Sequence, residues 1–204
     1  MSSTKRGGIR EVSDYYVTPI DEIILFLDHL ISEVPDLLTK PNLSILDPCA
    51  GGDSLHEMSY PIALAHCGVT SEKITTIDIR EDSKADIKAD YLKIVTSDLN
   101  QWELSRESKF DIIITNPPFS HALPIIKKAF IDTKFGGYVI MLLRLNFFGS
   151  QARFPFWRDY LPKYCFVHHK RMSFTDFCKT DSIEYMHAVW HVGHRSVFTE
   201  LKVI

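Results

Sequence analysis

Paired cysteines, long apolar runs and phosphate-loop signatures are all missing from this 204-residue chain. Its four cysteines, Cys49, Cys67, Cys165 and Cys178, form no CxxC pair and follow no regular spacing. That argues against a disulfide framework or a zinc finger and points to a reducing compartment, the cytoplasm. No window approaches the ~20 apolar residues of a membrane span, and the charged start MSSTKRGGIREVSDYY has no apolar stretch behind it, so neither a span nor an export signal is expected. Repeats and low-complexity tracts are also absent. His187, His191 and His194 lie close together, but no carboxylate is placed to complete a site, so no metal is expected.

What is present is uneven. The net charge of −3 hides a contrast: of the 23 Lys and Arg and 26 Asp and Glu, residues 1–120 hold 11 and 20, and residues 121–204 hold 12 and 6, with six of the nine histidines. A basic C-terminal half can supply phosphate contacts, although an ordinary solvated surface would have the same composition. The length fits one α/β domain, which buries roughly 70% of the surface its unfolded form exposes. Residues 1–14 read as a flexible arm and 15–204 as the domain.

Thr18-Pro19 reads as an N-cap followed by proline at the first helical position. Ile20, Ile23, Ile24, Leu27, Leu30 and Ile31 then recur at helical spacing to about Glu33, and Pro35 stops the pattern. Short β-rich runs follow at 43–47, 73–78, 110–115, 138–143, 165–169 and 184–192. Most are apolar without alternation, which suits strands buried on both faces, and segments such as HALPIIKKAFIDT are long enough for crossover helices. The pattern predicts a doubly wound sheet. The run 184–192 alternates in part and predicts an antiparallel last strand at or near an edge.

In such a sheet ligands bind beyond the carboxyl ends of the strands, and four strand ends here are unusual. The first is Asp47-Pro48-Cys49-Ala50-Gly51-Gly52-Asp53. Adjacent glycines allow close backbone approach, and the two acids offer acceptors without positive charge, a combination that suits a cationic or amine-bearing ligand better than a phosphate. It has neither the GxGxxG pattern nor the lysine of a phosphate loop. His56 and Met58 could touch the ligand or serve capping and packing. The second end is Asp78-Ile79, whose acid can accept from ribose hydroxyls; Arg80 is expected to meet solvent or Glu81. The third is Asp90-Tyr91, an acceptor for an adenine amine beside an aromatic ring.

The fourth, Asn116-Pro117-Pro118-Phe119, carries the strongest signal. An amine conjugated to a ring is a poor nucleophile, and acceptors aimed at both of its N–H bonds would draw the nitrogen toward tetrahedral geometry. The Asn116 carboxamide oxygen and the Pro117 carbonyl can be those acceptors, because consecutive prolines fix φ and keep Asn116 out of helical geometry. Asn116 is not a base, so the amine's proton is expected to leave only after the nitrogen has reacted. Phe119 offers a face for a stacked, flipped base.

DPCAGGD, IDIRED, DYL and NPPF, in that order, resemble the class I adenine-amino DNA methyltransferases, especially the small stand-alone forms of phages and prophages. The resemblance runs from Tyr15 to about Trp190. It implies S-adenosylmethionine as cofactor, a Rossmann-like seven-stranded sheet with helices on both faces, and DNA as partner. It also implies that Tyr16, Thr18 and Pro19 lie near the methionine end of the cofactor, that the DPCAGG turn cradles it, that Asp78 binds ribose and that Asp90 contacts adenine. NPPF matches the catalytic tetrapeptide, while Arg171 and Phe174 match a late motif on the target-base side. No segment is large enough for a separate target-recognition domain. Sequence preference would come from 145–163, with Arg153, Arg158 and Lys163 among aromatics, from 170–183, or from a partner subunit; 145–163 reads equally well as a mobile loop covering the cofactor. The same chemistry on RNA adenine or on a protein glutamine amide, and a non-catalytic nucleic-acid-binding subunit, remain alternatives.

Overall fold

The computed structural model describes residues 16–94, 109–174 and 183–204. The expected arm 1–14, Tyr15, Cys178 and most of the 175–183 stretch lie outside the described residues. Helix α1 spans Ile20–Glu33. It turns Ile23, Phe26, Leu27 and Leu30 to the interior, the 3.6-residue repeat of an amphipathic helix. Thr18-Pro19 behaves differently from the prediction. Pro19, with φ −58° and ψ 123°, is itself the capping position and no side chain caps the helix, because the buried Thr18 hydroxyl is engaged elsewhere.

Strands β1 (Ile45–Asp47), β2 (Ile74–Asp78) and β3 (Ile87–Lys88) are joined through α2 (Ser59–His66). Next come β4 (Phe110–Thr115), α3 (Ala122–Asp132), β5 (Thr133–Arg144), α4 (Phe154–Asp159), β6 (Tyr164–Val167), β7 (Tyr185–His191) and β8 (Glu200–Val203). The described residues form one sheet in the order β3-β2-β1-β4-β5-β7-β6-β8. Strands β1 to β5 are mutually parallel, and β7 runs antiparallel to both β5 and β6. All six residues of β4 are buried, as a continuous apolar run in a two-sided sheet should be.

Successive β4 residues face opposite layers. Ile112 and Ile114 pack with Ile23, Phe26 and Leu27 of α1 and with Tyr60 and Leu64 of α2. Ile113 packs with Ile125, Ile126 and Ala129 of α3 and with Phe156 and Trp157 of α4. The result is a Rossmann-like doubly wound fold with helices on both faces.

Two features depart from the expected seven strands. The antiparallel strand is β7, but it lies inside the sheet rather than at an edge, and the edge beyond it is closed by β8 pairing in parallel with β6. Strand β8 alternates charged and apolar residues, with Leu201 and Val203 largely exposed, so it lacks the buried run that marked the other strands. Its Glu200 and Lys202 protect the open edge. Segment 145–163 folds into 3₁₀ turns and α4 rather than a bare loop, and its Phe147, Phe156 and Trp157 are buried against the sheet. No described helix is long and apolar enough to cross a membrane.

Candidate active site

Sheet order reverses between β1 and β4, the position at which an open α/β sheet leaves a crevice at its carboxyl edge. A cavity of about 470 Å³ occupies that crevice. Its wall includes Tyr16 and Thr18 before α1, Pro48 to Gly52 after β1, Tyr60 of α2, Asp78 to Arg80 after β2, Asp90 and Tyr91 after β3, and Asn116 and Pro118 after β4. The four strand ends singled out in the sequence therefore converge on one space. Pro19, Asp47, Asp53, Pro117, Phe119, Arg153, Arg171 and Phe174 do not line it.

The glycine turn is held from beneath. Asp78 accepts from the backbone N–H of Gly51 at 2.8 Å and from that of Arg80 at 2.9 Å. Gly51 and Gly52 have φ of 67° and 75°. A Cβ on Gly52 would stand 2.9 Å from Met58 Cγ and 3.0 Å from Lys84 Cβ, so the turn requires glycine for both backbone and space. Met58 thus packs against the turn. Arg80 does not turn to solvent: its guanidinium donates to the Gly52 carbonyl at 2.6 Å and lies 3.4 Å from Asp78. Arg80 thus clamps the glycine turn to the end of β2 while forming part of the cavity wall.

Asp47 is fully buried under the turn and accepts from the Cys49 N–H at 3.3 Å. Burial pushes its carboxyl up to about 7. Asp47 therefore supports the turn rather than forming the cavity wall. Asp53 also serves the turn, accepting from the N–H groups of Leu55 and His56 and from the His56 ring. Slight burial opposes its ionisation, but these bonds bring its carboxyl down to about 2. Asp90 accepts from the Leu92 N–H. The Tyr91 hydroxyl donates to Asp132 of α3, which leaves the ring as a flat wall.

At the fourth strand end, Asn116 donates its carboxamide N–H to the Thr18 hydroxyl at 3.0 Å. This fixes the amide. Its Oδ1 is buried and has no hydrogen-bond partner among the described residues. The chain then turns at Pro118, whose carbonyl accepts from His121 N–H before α3.

Phe119 and Phe174 stand beside the cavity in an aromatic cluster. Tyr16 bridges them at centroid distances of 6.3 and 6.0 Å, and Tyr185 bridges them from the other side at 5.9 and 4.9 Å. Arg144, which ends β5, lays its guanidinium 3.9 Å from the Phe119 centroid. The sequence reading missed Arg144, Tyr185 and Tyr60; Arg144 pairs with Tyr185 across β5 and β7, a juxtaposition that only strand register reveals. Arg153 donates to the Phe147 carbonyl and covers its ring, so it serves packing in 145–163. Arg171 is exposed, 3.8 Å from Glu184.

Solved structures similar to this chain share its architecture. A Listeria monocytogenes protein assigned to the class I S-adenosylmethionine-dependent methyltransferases aligns over 97% of this chain and 68% of its own, with 14% identity and a TM-score of 0.61. The fold is the class I methyltransferase fold. A Pyrococcus horikoshii protein assigned as an RNA methyltransferase aligns over 93% of this chain and 95% of its own, at 14% identity and a TM-score of 0.55. The modification subunit of an assigned type I restriction enzyme from Vibrio vulnificus aligns over 93% of this chain but only 47% of its own, at 13% identity and a TM-score of 0.55. No protein-family model matches the sequence, and no curated protein matches it significantly.

Proposed function

We propose that this chain transfers the methyl group of S-adenosylmethionine to the exocyclic N6 amine of adenine in DNA. The observation that carries the reading is the Asn116 carboxamide, anchored through its nitrogen by Thr18 and left with a buried, unpartnered oxygen beside the cavity. The cofactor reading is supported by the cavity: 470 Å³ suits a nucleoside-sized ligand, the glycine turn has no room for a Cβ, and the acceptors Asp78 and Asp90 stand at separate strand ends. When bound, the cofactor supplies an electrophilic methyl group on a sulfonium.

The chain's own residues prepare the amine. Asn116 Oδ1 accepts one amine N–H and the Pro117 carbonyl the other, so the nitrogen lone pair is withdrawn from the ring and presented to the methyl group. Asn116 takes no proton; the alkylated nitrogen loses its proton to water after transfer, with S-adenosylhomocysteine as the second product. Phe119 and Phe174 receive the flipped base, and Tyr16 and Tyr185 hold the two rings in position. Catalysis by this site is positioning and electrostatics. Residues 15–204 act as one methyltransferase unit, and target choice comes from its short surface segments or from a partner subunit. The basic balance of residues 121–204 supports a nucleic-acid substrate.

The test is tritiated methyl incorporation into duplex DNA, single-stranded DNA, RNA and a protein extract, followed by identification of the methylated base. N6-methyladenine in DNA is expected, and label confined to RNA or to protein glutamine would overturn the substrate. Asn116→Ala should slow turnover about 10²–10³-fold while changing cofactor affinity less than about threefold.

A further inference from the structure

Beneath the cavity, four side chains far apart in sequence form one buried hydrogen-bond chain. The Tyr60 hydroxyl lies 3.0 Å from His187 Nε2, His187 Nδ1 lies 2.8 Å from His168 Nε2, and His168 Nδ1 lies 2.9 Å from Glu22 Oε2. The chain joins α2, β7, the residue following β6 and α1. His187 is opposite Leu142 of β5, one residue beyond Met141, which is opposite Thr115 just before Asn116. Its inner end is thus level with the Asn116 carboxamide, and Tyr60 itself forms part of the cavity wall.

The direction of the chain follows from its outer end. An ionised carboxylate only accepts, so His168 carries its proton on Nδ1 and offers Nε2 as an acceptor. His187 must then donate from Nδ1 and accept at Nε2, and Tyr60 must donate its hydroxyl proton to His187. Burial holds both imidazoles below the ordinary histidine range and the phenol well above the ordinary tyrosine range, so each link stays neutral. Phe26 stacks on His187 at 3.9 Å and holds the ring in place. With its only proton committed inward, the Tyr60 oxygen can do one thing toward the cavity, which is to accept. A phenylalanine at this position would fill nearly the same volume but leave His187 Nε2 without its donor.

We infer that Tyr60 is a further binding residue of this cavity: its oxygen, kept as an acceptor by Glu22, His168 and His187, receives an N–H of a ligand ammonium or amine. On the function proposed above, which this assignment rests on, that group is the α-amino group of the cofactor's methionine portion. Glu22, His168 and His187 act through Tyr60 and are positioning residues. Of the acids in the neighbouring wall, Asp78 is held by Arg80 and by the Gly51 and Arg80 N–H groups and Asp90 lies 3.2 Å from Lys93, so the Tyr60 oxygen is an additional acceptor in this wall.

Two measurements on the full chain test this. Long-range proton–nitrogen spectra should show both His168 and His187 as neutral Nδ1–H tautomers at pH 7; an Nε2–H tautomer at either overturns the direction of the chain. Calorimetry should then compare S-adenosylhomocysteine with its counterpart lacking the α-amino group. Tyr60→Phe should weaken binding of the first about tenfold and leave the second within about twofold, one hydrogen bond to a charged group. Glu22→Ala, at the partly exposed outer end, should reduce the same preference without touching the cavity and covers the case in which Tyr60→Phe fails to fold. Equal losses for both compounds, or no loss for either, overturn the Tyr60 assignment and leave the cofactor reading intact. Failure of the wild type to bind either compound overturns both.

Discussion

At the scale of single residues, the site depends on groups whose second partner is fixed before any ligand arrives. Thr18 is the clearest case, because its hydroxyl decides which end of the Asn116 carboxamide faces inward. Thr18→Val preserves volume and removes that anchor; turnover should fall about tenfold, with the cofactor dissociation constant nearly unchanged, as single-turnover kinetics with parallel calorimetry would reveal. Asp47 makes a different prediction. Its carboxyl is near 7 in the folded chain against 3.8 as an ordinary group, so the folded state holds more protons between those values and stability is lost as pH rises through that window. Asp47→Asn should therefore match wild type near pH 4 and exceed it at pH 8 by on the order of a few kcal/mol in denaturant titrations. The residues most legible in the sequence, Asn116, Gly51 and Gly52, restrict or free the backbone locally. Arg80, Tyr60, Arg144 and Tyr185 were not legible, because their roles depend on partners 28 to 127 positions away.

At the scale of elements, the turn between β1 and α2 sets the shape of the cavity floor. Gly52→Ala puts a methyl into a left-handed residue and against Met58 and Lys84. It should cost about 1–3 kcal/mol of stability and weaken S-adenosylhomocysteine binding, whereas Gly68→Ala, where φ is 84° but the surroundings are open, should cost stability alone. The pair separates backbone strain from loss of the cradle. The aromatic cluster across the β4 and β7 ends predicts that Phe174→Ala raises the KM for DNA about tenfold with little change in kcat, which steady-state methylation would measure. Six strands were visible as apolar runs because burial on both faces removes polar residues. Two-residue β3 and charged β8 carried no such imprint, and six-residue α4, Phe-Pro-Phe-Trp-Arg-Asp, is too short to show a helical repeat.

For the whole molecule, stability against acid is set by two opposing sets of groups. His168 and His187 are held below 6.5, so an unfolding chain takes up protons there that the folded one refuses, and stability is lost as pH falls below about 6.5. Asp47 works in the opposite direction over part of that range, while Asp53, near 2, acts only below about 4. In an Asp47→Asn background the denaturation midpoint should fall steadily from pH 7 to pH 5. A midpoint that rises would place the histidines in contact with water. The doubly wound architecture was legible from the rhythm of strands and crossovers, but the sheet's final order was not, since it depends on β7 entering between β5 and β6. That insertion governs the order in which the nascent polypeptide can mature. When Val167 emerges from the ribosome, β6 has neither of its two neighbours, and the twelve-residue β5 offers a bare, largely apolar flank. Both wait for residues 185–191, so translation stalled before Tyr185 should yield a product that captures other strands and precipitates, while one halted after His191 should stay dispersed.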